Sequence, residues 1–194
     1  MAVFDEAFQR TAAMEGGYVD DPDDAGGETY KGIARRFNPR WEGWRIIDDL
    51  KAAGDSKKEF LKKLDGHKDL QEGVRSFYKQ QFWDKFWGDE IPVQALAEEL
   101  FDTGVNMGVR RAVRFLQEGL NLLNRNQRDY ADIIEDGLFG PGTLHALRSY
   151  LAKDEASFLL KVTNVLQGMH YVRYMKEKPS QEKYARGWLR RVSL

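Results

Sequence analysis

The sequence predicts a mainly α-helical protein with one small β-hairpin near its amino end. Apolar residues recur at three- and four-residue steps through most of the chain, the spacing of helices with one buried face. Between Glu15 and Ile33 that rhythm gives way to EGGYVDDPDDAGGETYKGI, where glycines and aspartates surround two short β-prone runs. With 42% hydrophobic and 31% charged residues over 194 positions, the composition is that of an ordinary globular chain large enough for a substantial core.

The first helix is expected from Asp5 to Met14, with Phe4, Phe8, Thr11 and Glu15 on one face. A carboxylate in line with two phenylalanines is an unusual placement. Gly16 and Gly17 follow at once and can close the helix in left-handed backbone, so Glu15 falls in its last turn. Apolar neighbours and the negative end of the helix dipole both disfavour the charged form. A raised pKa is therefore expected at Glu15, as a general acid requires. Tyr18 and Val19 read as a strand, Asp20 to Gly27 as a turn and Glu28 to Tyr30 as the returning strand, with Gly32 and Ile33 leading onward. That hairpin brings Asp20, Asp21, Asp23, Asp24 and Glu28 within reach of Glu15 as rivals for a second carboxylate role.

Residues 33–53 are expected to hold a short helix, a break at Asn38-Pro39 and a second helix carrying Ile46, Ile47 and Leu50. Trp41 and Trp44 flank a glycine just after the break, as sugar-stacking platforms or as core. An amphipathic helix follows over 54–66 with Phe60, Leu61 and Leu64 inward. A helix over 68–87 places Leu70, Val74, Phe77, Tyr78, Phe82 and Phe86 at core spacing. Pro92 is the expected seam between two halves, 1–92 and 93–194. No flexible linker joins them, so they are expected to share an interface.

In the second half, 93–107 reads as a helix ending at Gly108, with Asp102 and Asn106 four apart on one face. They either meet a ligand or position the next helix. A helix over 109–123 follows. Asp136-Gly137 then reverses the chain ahead of a helix beginning near Pro141. A long helix from about Asp154 to Met175 aligns Phe158, Leu159, Val162, Leu166, Met169 and Val172. A final helix is expected to turn Tyr184 and Trp188 inward and leave Arg190 and Arg191 wet.

Several function classes are excluded or weakened. Without cysteine there is no disulfide, thiol catalysis or zinc-thiolate site. A formal charge of −1 gives no global attraction to nucleic acid or to an anionic membrane. No run of eighteen apolar residues or signal-peptide pattern occurs, so membrane insertion is not expected and synthesis in the cytoplasm is. His67, His145 and His170 lack paired spacing, so no metal is expected. An EF-hand template starting at Asp21 fails at Ala25 and Gly32. Nucleotide loops and G-x-S-x-G are absent.

The constellation of Glu15, Asp24 and Thr29 resembles that of phage-type lysozymes, with the Asp-to-Thr gap one residue shorter. More closely, EGGY followed by DPDDAGGETYKGI is similar to the opening motif of glycoside hydrolase family 108, the muramidases of bacteriophage endolysins and bacterial secretion-linked lysozymes. YKQQFWD, FDTGVNMG and the closing GW extend the resemblance along nearly the whole chain. EDGLFGPGT resembles an element of peptidoglycan-binding helical modules.

The resemblance implies a lysozyme-like fold with a catalytic half over 1–92 and a peptidoglycan-binding-like half over 93–194. It implies an N-acetylmuramidase in which Glu15 is the acid, Asp24 the second carboxylate and Thr29 a water-positioning hydroxyl. Tyr18, Tyr30, Asp102 and Asn106 are then candidate substrate contacts. Cofactors are not expected. The implied partner is the peptidoglycan glycan strand, met by a monomer after passage through a holin or a dedicated secretion route. A non-catalytic wall-binding protein and a secretion-associated protein are the alternatives.

Overall fold

The computed structural model describes residues 1–12, 16–21 and 26–193. The chain divides into two compact units, one of Phe8–Gln81 and one of Met1–Ala7 with Phe82–Leu194. The contact boundary thus falls at Gln81, eleven residues before Pro92.

In the Phe8–Gln81 unit, strands β1 (Tyr18–Val19), β2 (Thr29–Tyr30) and β3 (Ile33–Ala34) form an antiparallel sheet in that order. Tyr18 pairs with Tyr30 and Val19 with Thr29, the hairpin that the sequence predicts. The third strand replaces the short helix expected after Ile33. Lys31 and Gly32 both have positive φ, 44° and 78°, and two such residues make the tight turn whose twist matches a hairpin. Ile33 therefore returns alongside Tyr30 instead of entering a helix.

Helices α2 (Gly43–Ala52), α3 (Lys57–Gly66) and α4 (Lys68–Gln81) follow in this unit. The side chain of Ser56 accepts from the Glu59 N–H and starts α3, satisfying one of the orphan donors of a helix amino end. Phe60, Leu64, Leu70, Val74 and Tyr78 are buried from α3 and α4, as their spacing predicts. Trp44 is core, 3% exposed, and its indole donates to the Asn38 carbonyl at 2.8 Å.

Helix α4 stops at Gln81, not at Trp87, because the chain wraps around one indole. Trp83 is fully buried and donates to Asp89 at 2.8 Å. A Cβ on Gly88 would lie 2.2 Å from its ring, so only glycine lets the backbone approach this closely. Two short 3-10 turns, Trp83–Phe86 and Gly88–Glu90, take the place of the last helical turns.

The second unit closes on Trp83. The ring of Phe4, from helix α1 (Phe4–Ala12), packs edge-on against Trp83 and Phe101 at 5.6 and 5.7 Å. Helices α5 (Gln94–Met107) and α6 (Val109–Leu122) are joined by Gly108 alone and pack against α8 (Ala156–Glu177). Between them α7 (Pro141–Leu151) begins with proline at its first turn, where a missing N–H costs nothing. A 3-10 turn, Pro179–Tyr184, and α9 (Ala185–Leu189) end the unit.

Helix α8 buries a different stripe from the one its apolar spacing suggests. Leu159, Thr163, Asn164, Gln167 and Tyr171 face inward, whereas Phe158, Met169 and Val172 are exposed. Polar side chains can occupy that stripe because α5 supplies partners: Gln167 donates to Thr103 at 2.8 Å, and Thr103 to Glu99 at 3.0 Å. Tyr184 is also exposed rather than inward. Arg191 is not wet: its guanidinium meets Asp102 at 2.5 Å.

The Asp136-Gly137 reversal forms as its residues predict. Asp136 accepts from the Leu138 N–H at 2.8 Å, and Gln117 accepts from the Gly137 N–H at 2.8 Å. Gly137 has φ 73°, and a Cβ there would fall 2.3 Å from the Arg110 carbonyl oxygen. Gly137→Ala should therefore destabilise the protein by about 2–4 kcal/mol, read as a lower urea midpoint with an unchanged m-value.

Candidate active site

The β2–β3 turn is held from three directions. The Lys31 N–H donates to the Gly17 carbonyl at 3.1 Å. Its carbonyl accepts from the Tyr78 hydroxyl at 2.9 Å, and its ammonium donates to Gln71 at 2.6 Å. These bonds offset the roughly 1–2 kcal/mol that left-handed backbone costs a residue with a Cβ. The first of them also ties down Gly17.

One carboxylate organises the hairpin. Glu28 is half-buried, with its side chain 9% exposed. It accepts from the Tyr18 hydroxyl at 2.6 Å, from Lys51 at 3.0 Å and from Arg35 at 2.5 Å. Burial alone would push its carboxyl up, but the bonds from Tyr18, Lys51 and Arg35 outweigh it and hold the pKa below the ordinary glutamate range. Each cation is shared. Arg35 takes both oxygens of Asp48, at 2.8 and 2.5 Å, and Lys51 also donates to Asp20 at 3.0 Å. Hydrogen bonds from Lys51 and Arg35 depress the Asp20 and Asp48 carboxyls in turn. Desolvation, and then the bond to Glu28, raises the Tyr18 phenol.

Of the expected site residues, Glu15 and Asp24 lie outside the described residues. Thr29 donates its hydroxyl proton to the Gly27 carbonyl at 3.1 Å, so it can meet a water only as an acceptor. Tyr18 spends its proton on Glu28, and its half-buried ring lines a cavity of about 540 Å³ with Lys51 and Phe60. Tyr30 is 1% exposed. Its hydroxyl donates to the Leu64 carbonyl at 3.3 Å and accepts from Gln71 at 2.8 Å. Its ring stacks on Trp41, so Tyr30 is a core residue with no face for a sugar.

Two further cavities open in this unit. One of about 410 Å³ lies among Phe8, Lys31, Gln71, Arg75 and Tyr78, beside the pinned turn. A wider one of about 1300 Å³ is lined by Phe37, Trp41, Glu42, Glu72 and Phe77. Among the described residues, no three His, Asp or Glu side chains converge as metal ligands.

Asp102 and Asn106 belong to the other unit and do different things. Asp102 holds Arg191, although burial still raises its carboxyl against the pull of that guanidinium. Asn106 accepts from the Tyr171 hydroxyl at 2.8 Å. One turn earlier, burial pushes the Glu99 carboxyl up to about 7, against the lowering effect of the Thr103 hydrogen bond.

No curated protein matches the chain. The family model described as Glycosyl hydrolase 108 matches residues 8–108, just over half of the sequence. The chain belongs to glycosyl hydrolase family 108. A second model, described as Predicted Peptidoglycan domain, matches residues 111–193 of this family 108 chain. Among solved structures it is similar to SagA of Brucella abortus, at 27% identity over 97% of this chain and 88% of that one, with a TM-score of 0.63. The family 108 fold here is lysozyme-like, mainly helical with a small antiparallel sheet. Family and second domain together make the protein a glycoside hydrolase acting on peptidoglycan.

Sequence reasoning missed the cations of the hairpin node. Arg35 follows β3 directly, and Asp48 and Lys51 are three apart on one face of α2. The helical spacing of that pair is the only signal the sequence offered.

Glu28 lowers its pKa on folding, so its stabilisation is complete above the ordinary glutamate value of 4.5 and is lost as pH falls below it. Glu28→Gln should cost about 1–3 kcal/mol at pH 7. That deficit should shrink steadily below pH about 4.5 in denaturation curves. Glu99 has the opposite sign: its raised pKa penalises the folded state as pH climbs from 4.5 through about 7. Glu99→Gln should therefore stabilise the protein by about 2–3 kcal/mol at pH about 8 and by almost nothing at pH about 4, by the same measurement.

Proposed function

We propose that the protein is an endolysin-type lysozyme. It cuts the β-1,4 bond between N-acetylmuramic acid and N-acetylglucosamine, with Glu15 as general acid. The observation that carries the assignment of Glu15 is the state of its neighbours in sequence. Asp20 and Glu28 are both bonded to cations and held below the ordinary carboxylate range. Neither retains a proton at neutral pH to give away. A donor needs a pKa raised toward the working pH, and the sequence pattern of two phenylalanines, Glu15 and a double glycine is what leads us to assign that role to Glu15.

Glu15 gives its proton to the glycosidic oxygen as the bond to the anomeric carbon breaks, and the leaving sugar departs as an alcohol. Asp24 is the second carboxylate. It either removes a proton from a water attacking the opposite face of the ring or meets the cationic anomeric carbon directly. A carboxyl separation of about 6.5–9.5 Å corresponds to the first course and about 5–5.5 Å to the second. Thr29, with its proton engaged by Gly27, orients that water by accepting from it.

Purified wall incubated with the protein should gain reducing ends at muramic acid. Glu15→Gln should lower that rate about 10²–10⁴-fold while leaving the urea midpoint near that of the parent chain. Undiminished release by the variant would refute the assignment.

A further inference from the structure

We infer that the carboxyl-terminal unit carries a receptor for a carboxylate of the peptidoglycan stem peptide, in the cavity between Asn106, Arg111, His170 and Trp188. The identity of this ligand rests on the wall-hydrolase reading above, but the site itself rests on its own chemistry. The cavity measures about 370 Å³, within the lower part of the roughly 300–1,000 Å³ range of small-ligand sites. It holds a fragment rather than a strand.

Among the described residues the lining offers donors and no acid. Arg111 is exposed on the first turn of α6 and spends one N–H on the Met107 carbonyl at 3.1 Å. Among the described residues it meets no carboxylate. Asn106 uses its oxygen to accept from Tyr171, which leaves its amide N–H pair as donors. Among the described residues, nothing acidic lines the cavity. His170 registers the resulting field: burial first, then Arg111 and Arg173, lower its pKa, with Glu177 the one opposing charge. An anion entering here is attracted, and a guanidinium with free N–H groups suits a carboxylate in particular.

The aromatic wall argues against a sugar as the bound group. Trp188 already has Tyr171 stacked on it at 5.2 Å, with Tyr174 and Tyr184 tilted against it at 5.9 and 5.7 Å. His170 lies parallel to Tyr174 at 6.2 Å. With their faces so occupied, these rings serve as apolar packing for side chains, and charge is left as the distinguishing feature. Of the parts of peptidoglycan, the stem peptide is the one that presents free carboxylates.

The test uses the full chain and NMR of its three histidines, with His67 and His145 as internal references. Added free stem tetrapeptide should shift the His170 ring signals saturably and raise its pKa, as a bound anion must. Arg111→Gln should weaken that binding about tenfold or more, the loss of a charge-assisted hydrogen bond. Arg114→Gln, exposed on the same helix and outside the cavity, should leave it unchanged. The inference is overturned if the tetrapeptide does not move His170, or if its carboxyl-amidated analogue binds equally well. It is likewise overturned if Arg111→Gln and Arg114→Gln weaken binding alike, or if an N-acetylglucosamine oligomer moves His170 instead. Wall hydrolysis measured on the same preparation separates the two ideas. A chain that releases reducing ends while His170 stays still loses only this receptor, and one that binds the peptide but releases none loses only the muramidase assignment.

Discussion

A carboxylate drawn partly out of water stays charged only with compensation, and Glu28 is compensated three times over. The Tyr18 phenol, the Arg35 guanidinium and the Lys51 ammonium converge on it from β1, from the residue after β3 and from α2. Because each cation reaches onward to Asp48 or Asp20, the node ties the sheet to α2. Removing one partner of such a group exposes the full desolvation cost of the others. The same bonds decide chemistry, since a carboxyl held ionised stabilises positive charge and donates no proton. Asp20 and Glu28 are thus structural anions of the hairpin.

The carboxyl-terminal unit solves a related problem differently. Its central helix α8 buries Thr163, Asn164 and Gln167. Thr163 and Asn164 donate to the Leu160 carbonyl of the same helix, while the Gln167 amide donates to Thr103 of α5, which passes its own proton to Glu99. Here the carboxyl has no cation, and burial moves it toward the neutral form. Asp102, three residues on, does have one, and through Arg191 it anchors the end of the chain. A polar interior of this kind specifies which helix face meets which, because a shifted register would leave several donors and acceptors without partners.

Much of this was legible in the sequence. The helices of both units follow from apolar spacing, and the Asp136-Gly137 turn follows from residues whose local chemistry admits few alternatives. Tyr18, Val19, Thr29 and Tyr30 form the ladder expected of them. The third strand escaped notice because the turn before it places Lys31, a residue with a Cβ, in left-handed backbone, which only the partners of Lys31 explain. The buried face of α8 escaped because spacing rules follow apolar residues, and its inward stripe is largely polar. In the site, the Glu15, Asp24 and Thr29 pattern stands out through its likeness to known muramidases. The ions that neutralise Asp20 and Glu28 do not, because Arg35, Asp48 and Lys51 meet the hairpin only once the chain has folded. Tyr30, a candidate substrate contact by resemblance, is core because a large ring beside a turn packs wherever partners such as Trp41 and Gln71 are placed.

The proposed catalysis requires two glutamates of one short stretch to hold opposite protonation states. Carbon-detected NMR of the side-chain carboxyls across pH, on the intact protein, reads both at once. Glu28 should titrate below the ordinary glutamate value of 4.5 and Glu15 above it. A Glu15 that ionises like a free glutamate, or a Glu28 that keeps its proton to higher pH than Glu15, would contradict it.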